Sequence, residues 1–150
     1  MSNVVAFSSA YAGRGRFDTL QKEAIASIEA ASSYLNGLGR LEARGLEPQV
    51  RRICTRESMR LSNRLIQVSG WLTLSSSLLA GRITREHAQT QRARLTFDDL
   101  SIPAHNPEFD QLPHELQRLC IQSIALRDRI LAFDKALFGA ATDGQLARGA

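Results

Sequence analysis

The stretch from Glu47 to Gly81 constrains this chain most, because its apolar residues keep helical spacing over its whole length with no internal proline. Val50, Ile53, Cys54, Leu61, Leu65, Val68, Leu72 and Leu79 recur at steps of three and four, which places them on one face of an α-helix. Pro48 suits the first turn, where a missing N–H costs nothing, and Gly81 suits the C-terminal cap. Such a helix runs roughly 33 residues, about 50 Å at 1.5 Å per residue. A helix of that length needs partners along most of its surface, so the sequence predicts an α-helical bundle.

Its second half is apolar on more than one side, since Ile66, Trp71, Leu74 and Leu78 lie outside the first stripe. Cover from several directions is therefore expected. Beside the stripe, Ser62, Ser69, Thr73, Ser76 and Ala80 form a small-residue seam along which another helix could approach. The segment Leu65 to Ala80 contains Gln67, Ser69, Thr73 and Ser75 to Ser77, and is too short and too polar for a membrane span of about 20 residues.

One residue breaks the stripe. Glu57 sits four after Ile53 and four before Leu61, where an apolar residue is expected, and a buried carboxylate needs a donor. Arg127 interrupts the stripe of the last predicted helix in the same way. The reading pairs Glu57 either with Arg127 as a buried ion pair or with an arginine of a second subunit.

Around the long helix the chain divides simply. Residues 1–16 contain Gly13 and Gly15 and no period, predicting a disordered or loosely docked segment. A first helix starts near Phe17 or Asp18, buries Leu20, Ala24, Ile25, Ile28, Ala31 and Leu35, and ends at Asn36-Gly37. Gly37 to Leu46 reads as a turn. Thr84 caps a short helix reaching about Leu95, with Ile83 placed to pack on Ala88. Thr96 to Leu112, with Pro103, Pro107 and only acidic charges, reads as a long connector returning the chain to the last helix. That helix opens at Pro113, runs to about Phe138 and buries Leu116, Leu119, Cys120, Ile124, Ile130, Leu131 and Leu137. The expected fold is all-α, an antiparallel three-helix bundle over 17–138 with one short extra helix, forming a homodimer, and with a flexible tail at 139–150.

The residues offer little chemistry. His87, His105 and His114 have no His or Cys partner at metal-ligand spacing, Ser75-Ser76-Ser77 lacks the glycine-flanked elbow of a hydrolase nucleophile, and no P-loop pattern occurs. Gly37-x-Gly39 lacks the preceding strand and the third glycine of a dinucleotide loop. No catalytic residue, metal site or cofactor is expected, and the chain is read as a non-enzyme. Cys54 and Cys120 fall at apolar helical positions, as buried thiols do, and with no secretory signal at Met1 a reducing cytoplasm is the expected setting.

The net charge of +4 comes from arginine, as Lys22 and Lys135 are the only lysines. Arg51, Arg52, Arg56, Arg60 and Arg64 cluster on the long helix, which allows a nucleic-acid-binding reading. Intervening Glu42, Glu47 and Glu57 and the lack of an aromatic platform favour a solvated or protein-facing surface. A structural dimeric scaffold is the other alternative.

The run Glu57-Ser58-Met59-Arg60-Leu61-x-x-Arg64-Leu65-x-Gln67-x-x-x-Trp71-Leu72, with Ala31-x-x-Tyr34-Leu35-x-Gly37-x-Gly39-Arg40 before it and Leu112-Pro113-x-x-Leu116 after it, resembles the alphaproteobacterial RcdA family, the regulators of CtrA degradation. The resemblance spans Val5 to Leu137. It implies a non-enzymatic, dimeric three-helix bundle acting as an adaptor for the ClpXP protease. In that family the adaptor binds the protease once a response regulator, CpdR, has primed it, and delivers cell-cycle cargo proteins directly or through a further adaptor, PopA. The positions carried over as candidate partner-binding or motif residues are Glu57, Met59, Arg60, Arg64, Gln67 and Trp71. No membrane or nucleic-acid partner is implied, and recruitment to a cell pole accompanies the cytoplasmic expectation.

Overall fold

The computed structural model describes residues 2–97 and 107–139, with side chains from Gly13 onward. Every regular element among them is helical. Three long helices, α1 (Ser2–Asn36), α3 (Pro48–Leu79) and α6 (His114–Phe138), pack together. Three short ones, α2 (Leu38–Arg44), α4 (Arg85–Arg92) and α5 (Pro107–Asp110), lie against α3, and α2 also packs on α1.

The ends of α3 follow from local chemistry. Pro48 occupies its first turn. Gly81 takes φ +69°, and the Gly81 and Arg82 N–H groups return to the Leu78 and Ser77 carbonyls, the paired bonds of a left-handed C-terminal cap. Thr84 then caps α4 by accepting from the His87 N–H, and Ala88 is fully buried.

The core is the apolar stripe of α3 meeting those of α1 and α6. Leu61, Val68, Trp71, Leu116 and Ile130 show no exposed surface, and Ala24 of α1 sits among them. Cys54 and Cys120 are buried and form no disulfide. Phe17, Trp71 and Phe133, one from each long helix, form an aromatic cluster with centroids 5.9–6.2 Å apart, at angles from tilted to edge-on.

Helix directions come from which residues meet. Phe17 meets Phe133 and Glu23 pairs with Arg129, so α1 is antiparallel to α6. Phe17 also meets Trp71, while Tyr34 and Cys54 line one groove, so α1 is antiparallel to α3. Arg56 with Glu108, Arg64 with Ser123 and Trp71 with Asp134 ascend together, so α3 and α6 run parallel. Between α3 and α6 in sequence, Leu95 lies beside Gly70 and Glu108 reaches Arg56, so the described parts of the connection lie progressively nearer the start of α3.

Several expectations differ from what the structure shows. Helix α1 begins at Ser2, well before Phe17, so residues 2–16 are helical; Gly13 and Gly15 each weaken a helix by roughly 0.5–1 kcal/mol but do not forbid one. The predicted turn at Gly37 to Leu46 contains α2, and the connector ends in the single turn α5. Ile66, expected under cover, is 64% exposed, and Ile25 on α1, predicted to be buried, is 46% exposed. Residues 98–106 of the connector and 140–150 of the tail lie outside the described residues.

Candidate functional site

Glu57 is 3% exposed on the inward face of α3. Its Oε1 accepts from Arg60 Nη1 at 2.8 Å and from Arg56 Nε at 3.3 Å, and Oε2 is buried without a hydrogen-bond partner. Arg56 continues to Glu108 at 2.8 Å, tying α5 to α3. The guanidinium of Arg127 bonds Asp128, its neighbour on α6, at 3.0 Å. The cross-helix pairing of Glu57 with Arg127 is therefore not the one found. An arginine three residues away on the same helix reaches the carboxylate without crossing the interface.

The remaining motif residues divide between architecture and surface. Arg64 is buried and donates to Ser123 Oγ, which donates in turn to the Cys120 carbonyl at 2.7 Å, a polar rivet between α3 and α6. Trp71 Nε1 donates to Asp134 Oδ1 at 2.8 Å. Gln67 is half-buried, with its Oε1 shielded and without a partner. Only Met59, 62% exposed, offers its side chain freely to solvent. Within the motif, Arg64 and Trp71 thus tie α3 to α6, while Glu57 and Arg60 pair within α3.

Asp134 went unnoticed in the sequence, and it joins three helices. Besides Trp71 it accepts from Arg92 Nε at 2.6 Å and from Arg92 Nη2 at 2.8 Å, clamping α4 to the bundle. Arg92 also stacks over Phe97 and donates to the Leu95 carbonyl. The signal lay in spacing, since Asp134 stands seven residues after Arg127 and four after Ile130 on the inward stripe.

A surface groove of about 370 Å³ lies between the end of α1, α2 and the first half of α3. Tyr34, Leu35, Cys54 and Met59 give it apolar walls, with Arg40 at its edge. Tyr34 donates to Glu42 Oε2 at 2.6 Å, and burial, reinforced by that carboxylate, pushes its phenol well above the ordinary range. Burial likewise pushes the Cys54 thiol up, so it stays neutral. Gly39 has no room for a side chain, because a Cβ would come within 2.8 Å of the Tyr34 carbonyl oxygen and 2.9 Å of its ring. The tight corner that forms this groove thus depends on the Gly39 and Tyr34 of the motif.

The arginine row on α3 is largely engaged. Arg51 caps the end of α2 through the Ala43, Arg44 and Leu46 carbonyls, Arg56 and Arg60 hold Glu57, and Arg64 is buried, leaving Arg52 exposed. Among the described residues no three His, Cys, Asp or Glu side chains converge on a metal position. His87 and His114 are exposed, His105 lies outside the described residues, and Ser75 is buried with its hydroxyl unbonded. Among the described residues no helix is long and apolar enough to cross a membrane.

A family profile described as "Protein of unknown function (DUF1465)" matches residues 9–148. This chain belongs to that family, which is the RcdA family. The structure is similar to the crystal structure of RcdA from Caulobacter crescentus CB15, with 26% sequence identity and a TM-score of 0.66 over 81% of this chain and 90% of that one. No curated protein matches the sequence. The RcdA-like helical fold is thereby established.

Proposed function

We propose that this protein is a non-enzymatic adaptor in ClpXP-dependent proteolysis. It binds the protease primed by a CpdR-like response regulator and delivers cell-cycle cargo directly or through a PopA-like adaptor, acting in the cytoplasm with recruitment to a cell pole. The observation that supports this reading is the RcdA-like fold, extending over 90% of the Caulobacter protein. The surface agrees with it. The large exposed apolar side chains of Leu38, Leu41, Met59 and Ile66 suit contacts with other proteins. The adaptor works as a homodimer joined along the small-residue seam of α3.

A pull-down with purified ClpX, with and without the priming regulator, tests the proposal. Regulator-dependent capture is expected, and absence of capture under both conditions rejects it. The nucleic-acid alternative is weaker because the α3 arginines are mostly committed to internal partners. It would require binding to duplex DNA that weakens steeply with salt, and we expect no such binding.

A further inference from the structure

We propose that the groove between α2 and the first half of α3 docks a short acidic segment of a partner protein, which inserts one large apolar side chain. This names the chemistry of a partner and rests on the adaptor reading. The groove is apolar where an anchor would enter, with Tyr34, Leu35, the neutral Cys54 and the exposed Met59 as its walls, and about 370 Å³ accommodates a leucine or phenylalanine side chain. Burying such an anchor takes a large apolar side chain out of water, which favours binding.

Charge selects the rest of the segment. Arg40 lines the groove, Arg44 follows one turn later on α2, and Arg52 stands two turns before Met59 on the same face of α3. All three are exposed, and none has an ion-pair partner among the described residues. The nearest acid on α2, Glu42, is turned to the Tyr34 hydroxyl, and no acidic residue lines the groove. An apolar slot with a cationic rim matches an acidic peptide and repels a basic one. A guanidinium rim also takes carboxylates in paired hydrogen bonds, which fixes the direction of the bound segment.

The test is fluorescence anisotropy on the full chain with three labelled synthetic peptides. One is rich in Asp and Glu around a central Phe, one replaces that Phe with Ser, and one replaces the acids with Lys. Only the first is expected to bind, at least tenfold more weakly to Met59→Glu and to Arg40→Glu/Arg52→Glu, and unchanged to Arg82→Glu at the far end of α3. All four positions are exposed or half-exposed, and a thermal melt of each variant verifies its fold. Failure of the first peptide to bind, equal binding by the Ser or Lys peptide, or indifference to the groove variants overturns the proposal. So does conversion of a dimer to a monomer by Met59→Glu, which would make a second copy the occupant. Capture of ClpX by groove variants, with no peptide binding, would reject this site and leave the adaptor reading standing. Peptide binding as expected, without ClpX capture, would do the reverse.

Discussion

Glu57 and Tyr34 are the two side chains whose chemistry is least replaceable. In Glu57→Gln the charge that holds Arg60 and Arg56 disappears, and the amide N–H₂ or oxygen left at the Oε2 position finds no partner there. Arg60 is a third exposed and can turn to water, so the loss falls below that of a fully buried pair, about 1–2 kcal/mol. A urea titration should show a lower midpoint at unchanged slope; an unmoved midpoint would mean that the carboxylate contributes nothing to the fold. Tyr34 gives a pH signature. The unfolded phenol ionises near its ordinary 10.0, whereas burial and Glu42 keep the folded phenol neutral to higher pH. Its contribution is therefore complete below about pH 10 and is lost as pH rises beyond, by up to about 1.4 kcal/mol per unit for one proton. Tyr34→Phe should be less stable by about 1 kcal/mol at neutral pH, from the lost bond to Glu42, and should lose stability less steeply in alkali than the parent. Parallel alkaline slopes in urea titrations would refute that assignment.

The helix α4 depends on one carboxylate. With only Ala88 buried, it is held by Arg92 on Asp134 and by Arg85 on the Leu137 carbonyl. Asp134→Ala leaves the Arg92 guanidinium and the Trp71 indole N–H without their acceptor in a mostly buried place, and should cost about 2–4 kcal/mol. Amide exchange should accelerate across Arg85–Arg92 while the middle of α3 keeps its protection; equal acceleration in both would mean that α4 and the bundle open as one unit. How much of this could be read beforehand varies with the kind of signal. The limits of α3 were legible because Pro48 and Gly81 act locally, and its inward face because period 3.6 is a property of the sequence itself. Helix α2 was hidden by Gly37, Gly39 and Gly45, which mark a turn by propensity although Gly39 is there to let Tyr34 approach. Arg127 suggested itself as a partner for Glu57 because both charges break a stripe, whereas the shorter reach within the chain is to Arg60. The Arg92–Asp134 clamp joins residues 42 apart, and no local pattern encodes such a pairing.

In the folded molecule α1 and α6 cover the inward side of α3, and α2 and α4 cover the two ends of its outward side, leaving a middle stretch around Ile66 and Ser69 in solvent. Ile66 is 64% exposed, with Ser69 and Thr73 exposed beyond it on the same side. An apolar ridge flanked by small side chains lets two helices cross closely, and a twofold arrangement would set Ile66 near its own symmetry mate. Stable pairing needs about 800 Å² buried per partner, so flanking parts of α3 and α4 must contribute as well. Light scattering should then give twice the 16.6 kDa of the chain, with a melting temperature that rises with concentration. Ile66→Glu would bring two carboxylates together at the axis and remove the central apolar contact, weakening association at least tenfold, about 1.4 kcal/mol. Because Ile66 is exposed within one chain, the substitution should leave the helical signal of the monomer intact, and Met59→Glu, one groove away, should leave the dimer intact. A parent chain that scatters as a monomer at micromolar concentration would remove the seam from consideration as an interface.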